Sequence, residues 1–249
     1  MSKDKFRKKK KDRNKETIEL EAALKTRKWE YDFQVDSKYT FSYNQQSLIE
    51  SITGPDTSIA FVDGPAGSAK TYIAVLAALK LLSQRKLENI VYIRSVVESA
   101  SKGIGFLPGE IDDKFGPWSM PLNDKLEELV SPEVIKNLKS TNVIKCLPVN
   151  FARGLTFRNS FVIVDEAQNM TFQELTTLLT RVGENSKYVI CGDTMQSDIN
   201  GHSGFKKMYT TFSTEECAAE GIQMFNFDES CIVRSKILRF IISRLKHAT

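Results

Sequence analysis

The sequence has few of the side chains that bind metals or cross-link a chain. Its 249 residues contain only two histidines and four cysteines, and the cysteines show no C-x-x-C spacing. This scarcity argues against a histidine- or cysteine-built metal site and against a disulfide framework. The cysteines are therefore predicted to be reduced and mostly buried: Cys146, Cys191, Cys217 and Cys231.

Long apolar runs are also missing. No stretch approaches the roughly 20 residues that a membrane-spanning helix requires, and the polar, basic N-terminus lacks the apolar segment of a secretory leader. We therefore expect no membrane partner and a cytoplasmic location, in a bacterium or in a phage-infected host. A chain of this length would suit a stand-alone bacterial or phage protein with one sizeable domain.

Charge is unevenly distributed along the chain. Residues 1–15 hold nine Lys/Arg and two Asp, a net charge of +7, whereas the whole chain carries +4, so the remainder is near −3. A basic arm on an acidic body favours binding to nucleic acid or to another acidic surface. A solubilising, disordered tail is the simpler alternative. We predict this tail at 1–15, a short helix and extension at 16–42, and the main domain at 43–249.

One eight-residue segment is typical of a loop that binds a nucleoside triphosphate. The apolar strand Ile59–Val62 enters it and an Ala-rich helix, Tyr72–Leu82, follows. In such a P-loop the backbone amides surround the phosphates, the lysine reaches the β- and γ-phosphates and the threonine hydroxyl binds Mg²⁺. We expect nine residues to bind ATP: Gly64, Pro65, Ala66, Gly67, Ser68, Ala69, Lys70, Thr71 and Tyr72. An ordinary strand–helix turn is the alternative.

Ala69 departs from this pattern, which has glycine at that position. The Cβ of alanine costs little if its φ is negative and more if φ is positive. We expect a working loop of slightly altered geometry.

Two further strands are predicted to end at the same site. The apolar run Phe161–Val164 ends in Asp165 and Glu166. Asp165 is placed to hold Mg²⁺, and Glu166 to polarise a water for attack on the γ-phosphate, which favours hydrolysis over phosphoryl transfer. After the strand Tyr188–Cys191, Gln196 would orient that water or sense the γ-phosphate, although a polar turn would leave the same pattern.

Apolar strands alternate with helices from residue 44 onward, which predicts an α/β fold. The fold class expected is a P-loop NTPase with a RecA-like parallel sheet covered by helices on both faces. A long insertion at 95–140 interrupts the alternation and holds four of the seven prolines. A final helix is predicted at about 230–246.

Together these segments resemble the PhoH-like family of single-domain RecA-like ATPases, which are related to superfamily-one helicases. The resemblance covers about 43–245. Its specific pieces are GFLPG at 105–109, FARG at 151–154, VDEAQN at 164–169, GDxxQ at 192–196 and IVR at 232–234. By this resemblance Gln45, upstream of the P-loop, reads adenine. The chain departs from the family at Ala69 and at Arg94-Ser95, where many members have Arg-Pro.

The resemblance also leads to an expected oligomer. Hydrolysis in this class usually needs a cationic finger on the γ-phosphate, and a single RecA-like domain leaves that finger to a neighbouring subunit. Arg234 matches the family's arginine in this segment and is the candidate, with Arg153 as the reserve. For each of these two residues, the alternative that it is a surface arginine without this role is equally open. A head-to-tail ring, of which a hexamer is one form, would close such contacts.

Two classes of function remain. The first is an ATPase that couples hydrolysis to binding or remodelling of RNA or single-stranded DNA; the second is an ATPase that drives a protein partner. The insertion is expected to contact nucleic acid, because it follows a carboxyl strand edge and carries charged and aromatic residues: Lys102, Phe106, Lys114 and Trp118. Packing of the two aromatic residues onto the domain is the alternative. A small-molecule phosphotransferase is disfavoured by Glu166.

Overall fold

A computed structural model describes residues 33–95, 111–196, 199, 203–233 and 235–246. The side chains of residues 111–118, 236 and 245–246 lie outside that description. The chain divides into two compact units, 1–34 and 35–249, and all elements below belong to the second. The predicted tail and most of the predicted extension lie outside the described residues, so the domain boundaries at 15 and 42 stay predictions.

Six strands form one sheet, in the order β3-β2-β4-β5-β1-β6, and each neighbouring pair is parallel. The apolar residues of the four inner strands are buried on both faces of the sheet, as parallel sheets require, and those of the two edge strands are mostly half-buried. The strands are β1 (Ile59–Asp63), β2 (Asn89–Arg94), β3 (Ile144–Pro148), β4 (Ser160–Asp165), β5 (Lys187–Gly192) and β6 (Ile222–Asn226). This confirms the predicted α/β, RecA-like fold class.

Eight helices are described around this sheet. They are α1 (Tyr43–Thr53), α2 (Lys70–Ser83), α3 (Ile111–Leu129), α4 (Pro132–Ser140), α5 (Phe172–Leu179), α6 (Phe205–Phe212), α7 (Glu215–Ala219) and α8 (Lys236–Lys246). Short 3₁₀ turns lie at Val149–Ala152, Ala167–Asn169 and Glu229–Cys231. Among the described residues, no helix is long and apolar enough to cross a bilayer.

The side-chain alternation of the strands produces two core layers. Phe61, Val162 and Ile190 point to the face covered by α5 and α6. Residues of the opposite parity pack toward α2, whose middle is apolar all round and fully buried, as expected for a helix enclosed by the sheet and α3. The two layers hold the carboxyl ends of β1, β4 and β5 side by side, and all three predicted motifs begin there.

Two predicted elements differ in the structure. The final helix begins at Lys236 rather than near Ser230, because Cys231 and Val233 use their backbone groups to bond other segments of the domain. The insertion at 95–140 contains α3 and α4, which the sequence pattern did not predict. Prolines obscure the pattern of α3, since Pro117 and Pro121 fall within its bounds.

Candidate nucleotide-binding site

A cavity of about 230 Å³ lies at the carboxyl edge of the sheet, between the P-loop and the ends of β4 and β5. It brings together ten of the predicted site residues: Ala66, Gly67, Ser68, Ala69, Lys70, Thr71, Tyr72, Asp165, Glu166 and Gln196. Gly64 and Pro65 line a neighbouring cavity of about 420 Å³ on the other side of the loop. Motifs separated by about 130 residues in sequence therefore share one site.

The P-loop turns sharply through two left-handed residues. Gly67 has a φ of 81° and Ala69 a φ of 64°. Ser68 stabilises the turn between them, because its amide and its hydroxyl both donate to the carbonyl of Pro65. Ala69 is also the N-cap residue of α2. The alanine departure thus falls at a position where a Cβ is strained.

Replacing Ala69 with glycine should therefore stabilise the protein by about 1 kcal/mol, since the relief of strain exceeds the added entropy of the unfolded chain. Urea denaturation of both proteins measures the difference. Ala66→Gly is the matched control in the same loop, because Ala66 is not among the described residues of positive φ. That control should be neutral or destabilising, and equal effects at the two positions would contradict the strain argument.

Lys70 lies at the start of α2 and folds back over the loop. Its ammonium group donates to the carbonyl of Gly64 and, at 3.0 Å, to that of Pro65. The first-turn amides of α2 have no acceptors within the helix, so they provide a positively polarised end. This arrangement of amides and an ammonium group fits a phosphate chain.

Asp165 accepts hydrogen bonds at both carboxylate oxygens. The Thr71 hydroxyl donates to Oδ1 at 2.7 Å, and the Tyr92 hydroxyl donates to Oδ2 at 2.5 Å. Tyr92 and Asp165 are both buried. Burial raises the pKa of Tyr92, and the Asp165 carboxylate raises it further, so the phenol stays protonated as a donor. The hydroxyl of Thr71 and the carboxylate of Asp165 are hard oxygen ligands that suit Mg²⁺.

Glu166 is held beside them in an uncommon backbone conformation. Its φ is 53°, in the left-handed region that non-glycine residues rarely adopt. Gln168 donates from Nε2 to Glu166 Oε2 at 2.5 Å, and Arg94 Nη2 lies 3.6 Å from Oε1. The amide oxygen of Gln168 in turn accepts from the backbone of Asp193 at 3.1 Å. Gln168 therefore connects the ends of β4 and β5.

The turn after β5 is fixed by carboxylates. Asp63 accepts from the backbone amide and the hydroxyl of Thr194, at 2.9 and 2.8 Å. Asp193 accepts from the amide of Met195, and burial raises the pKa of Asp193 above its ordinary value. Gln196 follows as an exposed residue that lines the cavity. The turn places Gln196 at the mouth of the site.

Gln45 lies behind the P-loop and is only 1% exposed. Its Nε2 donates to the carbonyls of Ser68 and Cys231, at 2.9 and 2.8 Å, and its Oε1 accepts from the Ser42 amide in a capping box. In this structure the Gln45 side chain thus braces the loop. Its predicted contact with adenine stays a prediction.

The two candidate arginines are placed differently. Arg234 lies outside the described residues. The residue before it, Val233, lines the cavity and donates its amide to the Gly67 carbonyl at 3.1 Å. Arg153 is exposed and follows the 3₁₀ turn after β3, and it is not among the residues that line the cavity.

Sequence reasoning missed several residues of this site. Tyr92 carried a signal, because a tyrosine in a buried strand needs a hydrogen-bond partner for its hydroxyl. A second group of three cavity-lining residues had no recognisable signal in the sequence. In this group the Tyr39 hydroxyl donates to the Glu128 carboxylate at 3.0 Å, and Lys125 Nζ lies 3.0 Å from the same carboxylate. The Tyr39 ring also packs edge-on against Tyr72, with centroids 4.8 Å apart.

A parallel sheet with a P-loop between its first strand and helix, and an Asp-Glu pair on a neighbouring strand, defines the class of P-loop NTPases. Residues 39–246 match the family model described as PhoH-like protein. The chain belongs to the PhoH-like family.

Relatives and one solved structure agree with this assignment. The PhoH-like protein of Synechocystis sp. is 34% identical over 203 residues, which are 81% of this chain and 60% of that protein. The PhoH-like protein of Bacillus subtilis is 34% identical over 184 residues, 74% of this chain and 57% of that protein. The chain thus spans less than two thirds of either relative.

The large terminase from a thermophilic bacteriophage superposes with a TM-score of 0.52 at 12% identity. That superposition covers 83% of this chain and 50% of the terminase chain. At such an identity the likeness shows the fold alone.

Proposed function

We propose that the protein is a Mg²⁺-dependent ATPase. The observation that carries this proposal is the convergence of Lys70, Thr71, Asp165 and Glu166 on one cavity at the carboxyl edge of the sheet. Lys70 would leave the carbonyls of Gly64 and Pro65 to bind the β- and γ-phosphates. When bound, Mg²⁺ would neutralise charge on those phosphates, with Thr71 and Asp165 as the residues that hold it.

Glu166 would act as the general base. It would accept a proton from the water that attacks the γ-phosphorus, as the bond to the bridging oxygen of ADP breaks. Gln168 and Arg94 hold the carboxylate, and Gln196 at the cavity mouth would orient the water. Gln45 would read adenine. The site would be completed by Arg234 of a neighbouring subunit, which would contact the γ-phosphate as the cationic finger. The subunits would then form a ring such as a hexamer.

We further propose that hydrolysis is coupled to RNA or single-stranded DNA. The basic residues 1–15 and the family membership support this class of partner. The alternative is a protein partner, which the basic arm would also serve if that partner were acidic. Unwinding, remodelling and simple binding are all compatible with the proposal.

ATP hydrolysis measured with and without poly-U RNA or single-stranded DNA separates these two classes. We expect stimulation by at least one polymer, weakening as salt rises, because phosphate contacts release counterions. Indifference to both polymers at every salt concentration would favour the protein-partner class. Solution mass with and without ATP tests the ring, and a monomer under both conditions would contradict it.

A further inference from the structure

Exposed aromatic and basic residues cluster at the carboxyl edge of the sheet, outside the nucleotide cavity. We define this surface by Phe151, Arg153, Phe172, Lys206 and Lys207. Phe151 is 58% exposed and Phe172 is 39% exposed. Arg153, Lys206 and Lys207 are exposed as well.

Backbone contacts join the three segments that carry this surface. The 3₁₀ turn of Phe151 packs against α5, which begins at Phe172. The residue before α5, Thr171, forms a β-bridge with Ser203, and the Gly204 amide donates to the Met170 carbonyl at 2.8 Å. A Cβ on Gly204 would clash with the backbone nitrogen of Phe172, so only glycine permits this approach.

This surface carries positive charge, and one of its ammonium groups lies over an aromatic side chain. Lys207 Nζ lies 4.6 Å from the Phe172 ring centroid. The nearest acid on α5, Glu174, is turned to the amide and hydroxyl of Thr171, at 2.8 and 2.9 Å, as the second half of a capping box. The chain beyond residue 15 has a net negative charge. The positive charge of this surface, with three cations near two exposed aromatic rings, is therefore opposite in sign to the net charge of the domain.

We infer that this surface binds single-stranded nucleic acid, with bases stacking on Phe151 and Phe172 and phosphates contacting Arg153, Lys206 and Lys207. Aromatic faces flanked by cations are the combination that single strands require, because every base has a π-face and every linkage a negative charge. This inference rests on the proposed function and states where on the domain the nucleic acid would bind. It also gives the FARG segment at 151–154 a role, because Phe151 and Arg153 belong to that segment.

The surface is directly connected to the proposed chemistry. Phe172 follows Glu166 by one 3₁₀ turn, in which the Asn169 amide donates to the Glu166 carbonyl at 2.9 Å and Met170 donates to Ala167 at 3.0 Å. A strand seated on Phe172 would therefore press on the backbone that positions the base, Glu166.

Fluorescence anisotropy with labelled oligo-U RNA and oligo-dT DNA tests the site. Phe172→Ala should weaken binding of the preferred polymer about tenfold, since one stacked base is lost, and should reduce stimulation of ATP hydrolysis. Phe172→Leu, which keeps apolar packing but not the aromatic face, should show the same loss. Lys207→Ala should make the negative slope of log affinity against log salt shallower by about 0.7, the value for one phosphate contact on a single strand.

The matched control is Phe240→Ala on α8. Phe240 is likewise exposed and likewise lies 5.1 Å from a cation, Arg244. It belongs to α8 and not to the defined surface, so its loss should leave oligonucleotide affinity unchanged. Wild-type affinity in both Phe172 variants would overturn this surface while leaving nucleic-acid coupling itself intact. If the unchanged protein binds neither polymer, the surface and the proposed nucleic-acid class fall together.

Discussion

Replacing Glu166 with glutamine should slow ATP turnover by about 10²–10⁴-fold and leave ATP binding in place, since the amide removes a general base but keeps the size of the side chain. Glutamine can also keep a hydrogen bond to Gln168, so the turn at the end of β4 should persist. The left-handed conformation of this residue places its side chain at the cavity rather than in the continuing strand. Steady-state hydrolysis and titration with a fluorescent ATP analogue give the two quantities.

Glu220→Gln, an exposed change beyond α7, is the control for the loss of one negative charge and should hydrolyse ATP normally. Turnover of Glu166→Gln within about threefold of the unchanged protein would assign the base elsewhere. Weak nucleotide binding in the same variant would point instead to a collapsed turn, which thermal melting detects.

Arg234→Ala should have a larger effect than Glu166→Gln. We expect it to lower ATP turnover by about 10³–10⁵-fold relative to the unchanged protein, the range for cationic fingers in related chemistry. ATP binding should be retained, because a finger acts on charge that develops during transfer. Normal turnover in this variant would remove the finger assignment. Arg153→Ala is the parallel variant and should retain ATP hydrolysis in the absence of polymer if Arg234 is the finger.

Mixing two inactive variants decides which subunit supplies the arginine. Lys70→Ala lacks its phosphate-binding ammonium but keeps Arg234. If the finger acts between subunits, a mixture of Lys70→Ala and Arg234→Ala should regain part of the activity, because some interfaces combine an intact P-loop with an intact arginine. The backbone hydrogen bond between Val233 and Gly67 lies within one chain, so action of Arg234 in its own subunit is the competing result. A mixture that stays inactive although the two variants are shown to co-assemble would favour it.

The sheet and the main motifs could be predicted because both depend on local sequence. Apolar runs of four residues, followed by Asp63-Gly64, Asp165-Glu166 and Gly192-Asp193, specify strands whose carboxyl ends must meet in a parallel sheet. The same reasoning placed Lys70 and Thr71 just before a helix expected at Tyr72–Leu82, and in the structure the helix already begins at Lys70. The spacing of these motifs was therefore enough to predict which segments lie together at the sheet edge.

Other parts of the site depend on contacts between residues that are distant in sequence, and such contacts produce no periodic pattern in the sequence. Tyr39 meets Glu128 across 89 residues, and Tyr92 meets Asp165 across 73. Nothing near either tyrosine in sequence identifies its partner. The backbone angle of Ala69 was equally inaccessible, because the residue type permits both signs of φ and only the turn through Gly67 selects the positive one.

The bonds that brace the P-loop have a thermodynamic consequence. Gln45 ties Ser68 to Cys231, and Asp165 is fixed by two hydroxyl groups. Apart from Lys70, which would have to leave its two carbonyl partners, a loop held in this way would lose little conformational entropy when the proposed nucleotide binds. The energy of each proposed phosphate contact would then remain available to discriminate triphosphate from diphosphate.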